Sequence, residues 1–406
     1  MTSRERVLTT IAHKEPDRVP IDFGGMRSTG IMAIAYNKLK AHLGITGGET
    51  RLYDTGQQLA LPEPPVLERF HTDVIDLNNQ LGRFPEEWKD WTLPDGSPAK
   101  APVGFNPVRV EGGWAELSPN GQVLSRMPDG CLYFEACYSP LAEAETFADV
   151  DRLFNPQPVK PENLVGLRER AKWLYENTDY AIMLGFGGNI LEGGQGLFGW
   201  ARFMTEIALN TELMEYTLDK IVEVYMENLR IYLDAIGGYI QLIQMGDDLG
   251  TQTATMLSPE LYRRVVKPRH ARQYHFIHEY SNVHVVLHAC GSCYDIMGDL
   301  VDEGVEALNP VQTSAAKMDP QTLKREFGDK LTFWGGGCDT QHVLPNASPD
   351  EIDRHVKERI EIFAPGGGYV FNQVHNVQAN VPPANIVAMF DAAWKYGIYP
   401  IGLPRL

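Results

Sequence analysis

The feature that most restricts what this chain can become is an alternation of short apolar runs with longer amphipathic stretches. The runs are rich in Val, Ile, Leu and Phe. They lie at Val19–Phe23, Asp73–Leu77, Tyr180–Phe186, Tyr239–Met245, Val283–Leu287, Val305–Leu308, Leu331–Trp334 and Tyr369–Asn372. Runs of this length, apolar throughout, mark parallel strands covered on both faces. Amphipathic stretches between most of them predict helices. Thr211–Ile236 and Ser258–Glu279 are the clearest, and Ser258 and Glu260 open the second. A shorter helix is expected at Ser3–Ala12, with Ser3 as its N-cap and Pro16 as its stop. The count of strand–helix units predicts an α/β chain closed as a (β/α)8 TIM barrel. An open doubly wound sheet is the alternative if there are fewer strands. The 406 residues fit one barrel domain over 1–406, because barrels exceed the usual domain size.

One stretch breaks the alternation. Turn signals recur at Pro94-Asp95-Gly96, Pro119-Asn120-Gly121 and Pro128-Asp129-Gly130, with short alternating segments between them such as Trp114–Leu117 and Gln122–Arg126. The pattern predicts an antiparallel β meander inserted after strand two, over residues 81–138. An insertion after a strand's C-terminal end lies over the barrel mouth, where it would lid the site or make a subunit contact.

Composition narrows the partners. The net charge of -17 disfavours nucleic acid and anionic lipid. No signal peptide and no membrane span is visible, and five cysteines are a sparse, odd set for a disulfide framework. These features predict a cytoplasmic protein. Self-association into a homo-oligomer stays open.

In a barrel, chemistry gathers at the C-terminal ends of the strands. Here those ends carry Gly24-Gly25-Met26-Arg27, Gly246-Asp247-Asp248, His288-Ala289-Cys290, Asn309-Pro310-Val311-Gln312, Gly337-Cys338 and Val374-His375. The strand bodies are apolar, so polar and metal-competent groups are concentrated at one end. His288 and Cys290 are two apart on an extended segment and share a side. An imidazole and a thiolate suit Zn²⁺. Cys338 and His375, on later strand ends, are available to complete the shell. The structural alternative makes Cys290 a small buried hydrophobe and His288 a hydrogen-bonded core histidine. Of the adjacent Asp247 and Asp248, one is expected to face the mouth and bind substrate or act as a base, the other to cap a helix near Thr251. Arg27 is a candidate anion contact, and Asn309 and Gln312 are candidate substrate contacts.

Gly194-Gln195-Gly196-Leu197-Phe198-Gly199 has dinucleotide-loop spacing but no strand leading directly into it. Gly366-Gly367-Gly368 lacks the Lys and Ser/Thr of a phosphate loop and reads as a tight turn. His270, His275 and His278 read as solvent-face or packing residues of a helix.

Several segments together resemble the uroporphyrinogen decarboxylase superfamily. They are Arg4-Glu5-Arg6-Val7-Leu8 followed by Asp17-Arg18-Val19-Pro20, the Gly366–Gly368 turn into Tyr369–Asn372, and Val381-Pro382-Pro383 after His375. The resemblance covers nearly the whole chain and implies a (β/α)8 barrel. The decarboxylases carry an arginine-rich segment after strand one, where this chain has the single Arg27. They also carry an aspartate after strand two, where this chain reads Asp76-Leu77-Asn78-Asn79-Gln80. The zinc-dependent corrinoid methyltransferases of the superfamily carry a His-x-Cys at the end of strand five, which His288-Ala289-Cys290 matches. Their later cysteine comes from the last strand, where this chain has His375, and Cys338 is the substitute.

The resemblance therefore implies zinc held by His288, Cys290 and Cys338, with His375 as fourth ligand or as an acid/base. The chemistry implied is methyl transfer between a small methylated or methoxylated substrate and cobalamin. No Asp-x-His-x-x-Gly segment is present, so the cobalamin is expected on a partner corrinoid protein. The rivals are a metal-free decarboxylase of a carboxylated substrate and a non-catalytic subunit that binds a corrinoid protein.

Overall fold

The structure is a computed structural model that describes residues 1–80 and 87–402, with the side chains at 79 and 80 left aside. Seven parallel strands form one sheet, paired in chain order: Val74–Asp76, Ala181–Gly187, Leu242–Gly246, His284–His288, Ala307–Asn309, Thr332–Trp334 and Tyr369–Val370. Residues 20–22 join its two edges. Ile21 bridges Phe371 in parallel, Phe371 N–H donates to Pro20 O, and Asp73 N–H donates to Ile21 O. The expected first strand, Val19–Phe23, is thus reduced to a bridge. Pro20 has no N–H to give a ladder, which shortens the pairing there. The result is the expected α/β barrel, closed by eight segments.

Strand periodicity sorts side chains between two cores. Ala181 and Met183 point into the barrel beside Leu242, Val286, Ala307, Trp334 and Val370, all fully buried. Ile182 and Leu184, the residues between and after them, pack outward under the helices. Val7 and Ile11 of the first helix, Ser3–Ile11, join the inner cluster. That helix is capped by Thr2 rather than Ser3, through a capping box with Glu5. Thr211–Ile236 is one helix, as expected. Ser258–Glu279 divides into Pro259–Val265 and Lys267–Tyr280. Pro268 cannot donate to the preceding turn, so the second piece starts afresh around it.

Between the second and third barrel segments, the described residues hold an antiparallel hairpin, Trp88–Thr92 with Pro98–Pro102. A four-stranded antiparallel sheet follows, with Val108–Val110, Gly113–Leu117, Val123–Pro128 and Glu135–Ala136 paired in sequence order. Residues 81–86, where the insertion was expected to begin, lie outside the described residues. A small sheet of Ile31–Met32, Leu52–Asp54 and Leu59–Ala60 was not foreseen, and it supplies Asp54 to the barrel mouth. Among the described residues no helix is long and apolar enough to cross a membrane.

Candidate metal centre at the barrel mouth

Parallel register brings the first partners together. Gly246, His288 and Asn309 stand side by side at the ends of three neighbouring strands. Asn309 is fully buried, and its Nδ2 donates to the Trp334 carbonyl. A carbonyl can only accept, so the amide's orientation is settled and Oδ1 faces the other way. Oδ1 takes the Ser28 hydroxyl at 2.8 Å and His288 Nδ1 at 2.7 Å. His288 therefore carries its proton on Nδ1, and the Nε2 lone pair is presented to the mouth. Cys290 Sγ lies 3.4 Å from that Nε2.

His375, beyond the eighth strand segment, completes the group. Its ring centroid is 5.7 Å from that of His288. One ligand atom from each of His288, Cys290 and His375 lies within 4.8 Å of the others. Among the described residues no hydrogen bond is made by the His375 ring. Burial is the main cause that lowers its pKa to about 4, so it is a neutral imidazole with a free lone pair. Burial, then the Asp248 carboxylate, pushes the Cys290 thiol up, so a thiolate here requires a cation beside it. The donor set of two imidazoles and a thiol fits Zn²⁺, and the Asn309 contact is the orienting bond such histidines need.

The loop backbone is equally constrained. Gly291 has φ +85°, and a Cβ there would meet the backbone of Gly250 at 2.3 Å. Gly250 N–H donates to Cys290 O, so the loops after strands four and five touch only because both residues are glycine.

Residues 138–396 match the uroporphyrinogen decarboxylase (URO-D) family. The chain belongs to this family. Among curated relatives, the uroporphyrinogen decarboxylase of Magnetococcus marinus is 24% identical over 259 residues, covering 62% of this chain and 68% of that protein. The enzyme of that name from Pseudoalteromonas atlantica is 32% identical over 79 residues, only 21% of its own length. A solved structure, a methyltransferase from Methanosarcina mazei, superposes with a TM-score of 0.59. It covers 98% of this chain and 99% of its own at 18% identity. At that identity the likeness is one of fold.

Within this URO-D barrel, several expected residues take other roles. Cys338 is not in the ligand group. It is fully buried in the outer core, where burial and then Asp339 push its thiol up. Positive φ at Gly335 and Gly336 turns the chain end, and Gly337 lies so close to the Phe371 ring that a Cβ would overlap it. Asp247 also leaves the mouth. It is fully buried and accepts the N–H groups of Ile190, Leu191 and Glu192, and it lies 3.2 Å from His270 Nε2. It caps the helix Leu191–Phe198, not the Thr251 region. Of the two readings offered for His270, solvent-face or packing, the second holds, since it is sealed between Asp247 and Glu303. Asn309 positions His288, and Gln312 Oε1 accepts the Gly291 N–H at 2.9 Å, so both support the loops.

Asp248 does face the mouth. Its Oδ1 accepts the Cys290 N–H at 2.9 Å and lies 3.6 Å from His288 Nε2. It lines a solvent-open cavity of about 210 Å³ together with His288, His375 and Arg27. Arg27 is tied to Asp54, 2.7 Å away. Other lining residues were missed: Glu192, Asn189, Gln244, Gln57 and Ser28. Glu192 is the most consequential. Burial, then the charges of Asp247 and Asp248, raises its carboxyl to about 7. It sits beside the glycines that had drawn attention for their spacing. Of these, Gly194 serves packing, as a Cβ there would strike the Phe203 ring at 2.2 Å, and Gly199 turns the chain at φ +86°.

Proposed function

We propose that the chain is a zinc-dependent methyltransferase of a corrinoid system, working in the cytoplasm. It moves a methyl group between a small methylated or methoxylated substrate and cobalamin carried by a partner protein. The observation that supports this most strongly is the convergence of His288, Cys290 and His375, with a half-buried His375 imidazole whose ring makes no hydrogen bond among the described residues. These three residues would hold the metal. When bound, zinc acts as a Lewis acid that lowers the pKa of a thiol or hydroxyl or polarises the heteroatom of a methyl donor. Asn309 keeps His288 in the ligating tautomer. Asp248 and Glu192 line the same cavity, and Glu192, near 7, is able to hold or release a proton there at neutral pH.

The test is metal analysis followed by methyl transfer. Purified protein is expected to contain about one zinc per chain, lost in His288→Ala and Cys290→Ala. Methylation of reduced cobalamin, followed by its absorbance, is expected to disappear with it. A metal-free chain with full activity would sink the reading.

A metal-free decarboxylase is the second reading, favoured by the names of the curated relatives. The cavity's charges speak against a polycarboxylate, because Glu192 and Asp248 face an arginine already neutralised by Asp54. Release of carbon dioxide separates the two.

A further inference from the structure

We infer that Asp22 is a positioning residue for the metal centre: two arms run from its carboxylate to Asn309, and Asn309 sets the tautomer of His288. This rests on reading His288, Cys290 and His375 as the zinc ligands. It extends that centre to a residue that is fully buried and off the cavity wall.

Asp22 has no ion-pair partner among the described residues. Burial pushes its carboxyl up to about 7, against the pull of the Trp334 indole and the Gly25 N–H. An acid sealed there costs free energy that an apolar residue would not. Both of its oxygens are used. Oδ2 accepts Trp334 Nε1–H at 2.8 Å, and Oδ1 accepts the Gly25 N–H at 2.7 Å.

The first bond fixes the side chain of Trp334, whose own carbonyl accepts Asn309 Nδ2 at 2.9 Å. The second holds the turn at Gly25, where a Cβ would meet Asp22 Oδ1 at 2.5 Å. That turn leads to Ser28, whose hydroxyl donates to Asn309 Oδ1 at 2.8 Å. The two arms thus grip opposite ends of one amide. Turned over, that amide would present Nδ2 to His288 Nδ1, which would then have to accept. The imidazole proton would move to Nε2, the atom that faces Cys290 Sγ at 3.4 Å, and its lone pair would be lost to a metal.

Asp22→Asn tests this. An amide nitrogen only donates, so one of the two N–H groups loses its acceptor and one arm opens. Trp334→Phe and Ser28→Ala open the arms one at a time, and they carry the test if Asp22→Asn folds poorly. Zinc affinity, read by competition with a chromogenic chelator, is expected to fall about tenfold in Asp22→Asn. In an Asn309→Ala background the same substitution should cost nothing further, because both arms end on the side chain that is gone. A merely structural loss would add to that of Asn309→Ala instead. The second readout needs no metal. Ring ¹⁵N shifts of His288, taken at alkaline pH where the imidazole is neutral, should show Nδ1–H in the wild type and a mixture of tautomers in the variants.

Unchanged zinc affinity in the folded variants, or losses that add in the double-mutant cycle, would overturn the inference. A tautomer shift in a chain that binds no zinc would refute the methyltransferase reading alone. Zinc binding and methyl transfer with an unmoved His288 tautomer would refute the role of Asp22 alone.

Discussion

The buried group around His270 carries a sharp prediction about pH. His270 lies on the helix Lys267–Tyr280, fully buried, with Nε2 3.2 Å from Asp247 and Nδ1 3.5 Å from Glu303. The Nδ1 contact is a charge pair without hydrogen-bond alignment. Burial opposes a charge on this ring, but the two carboxylates outweigh it and raise the pKa from 6.5 to about 9. Between those two pH values the folded chain holds a proton that the unfolded chain has released. Stability is therefore complete below pH 6.5 and falls as pH rises through about 9. At about 1.4 kcal/mol per pH unit for one proton, the loss comes to about 3–4 kcal/mol. The assay is urea unfolding across this range, with a chelator present so that metal binding adds no pH dependence of its own. Glu303→Gln keeps the volume and removes one carboxylate, so its His270 pKa drops and the alkaline fall shrinks. Equal alkaline losses in the variant and the wild type would refute the reasoning, because the fall would then come from elsewhere.

Three further outcomes follow from the same geometry. Asn309→Ala removes the acceptor for His288 Nδ1 and is expected to weaken zinc binding about 10- to 100-fold, read by competition with a chromogenic chelator. Cys338→Ser places a hydroxyl in the outer core and should cost about 1–3 kcal/mol of stability, yet leave zinc content unchanged. Gly291→Ala drives a methyl group into the Gly250 backbone at a positive φ, so metal content and melting temperature should fall together.

Much of the barrel was legible because its signals are local. Each strand body is a short apolar run, and the observed strands fall within or one to two residues from those runs, as Ala181–Gly187 does against Tyr180–Phe186. The mismatches have local causes too. Pro20 thinned the first strand, and Pro268 divided a helix that periodicity alone had read as continuous. His288, Cys290 and His375 were legible because the rule for barrel enzymes says which end of each strand to read.

The two neighbouring aspartates show what that rule lacks. Asp247 and Asp248 are identical in type and adjacent, so a reading by strand ends gives both the same claim on the site. Their roles are decided by groups distant in sequence. Asp247 turns to the N–H groups of residues 190–192 and to His270, which removes every reason for it to face solvent. Asp248 meets the Cys290 N–H and the cavity. The same capping by Asp247 fixes the start of the helix that carries Glu192, whose Oε2 in turn accepts the Asp248 N–H. One buried carboxylate thus orients both acidic groups of the cavity wall. The acidity of the wall therefore depends on a residue that never touches the cavity, and Asp247→Asn should bring the Glu192 carboxyl down from about 7, read as an acid-side shift in the pH profile of turnover, without adding or removing any group on the wall.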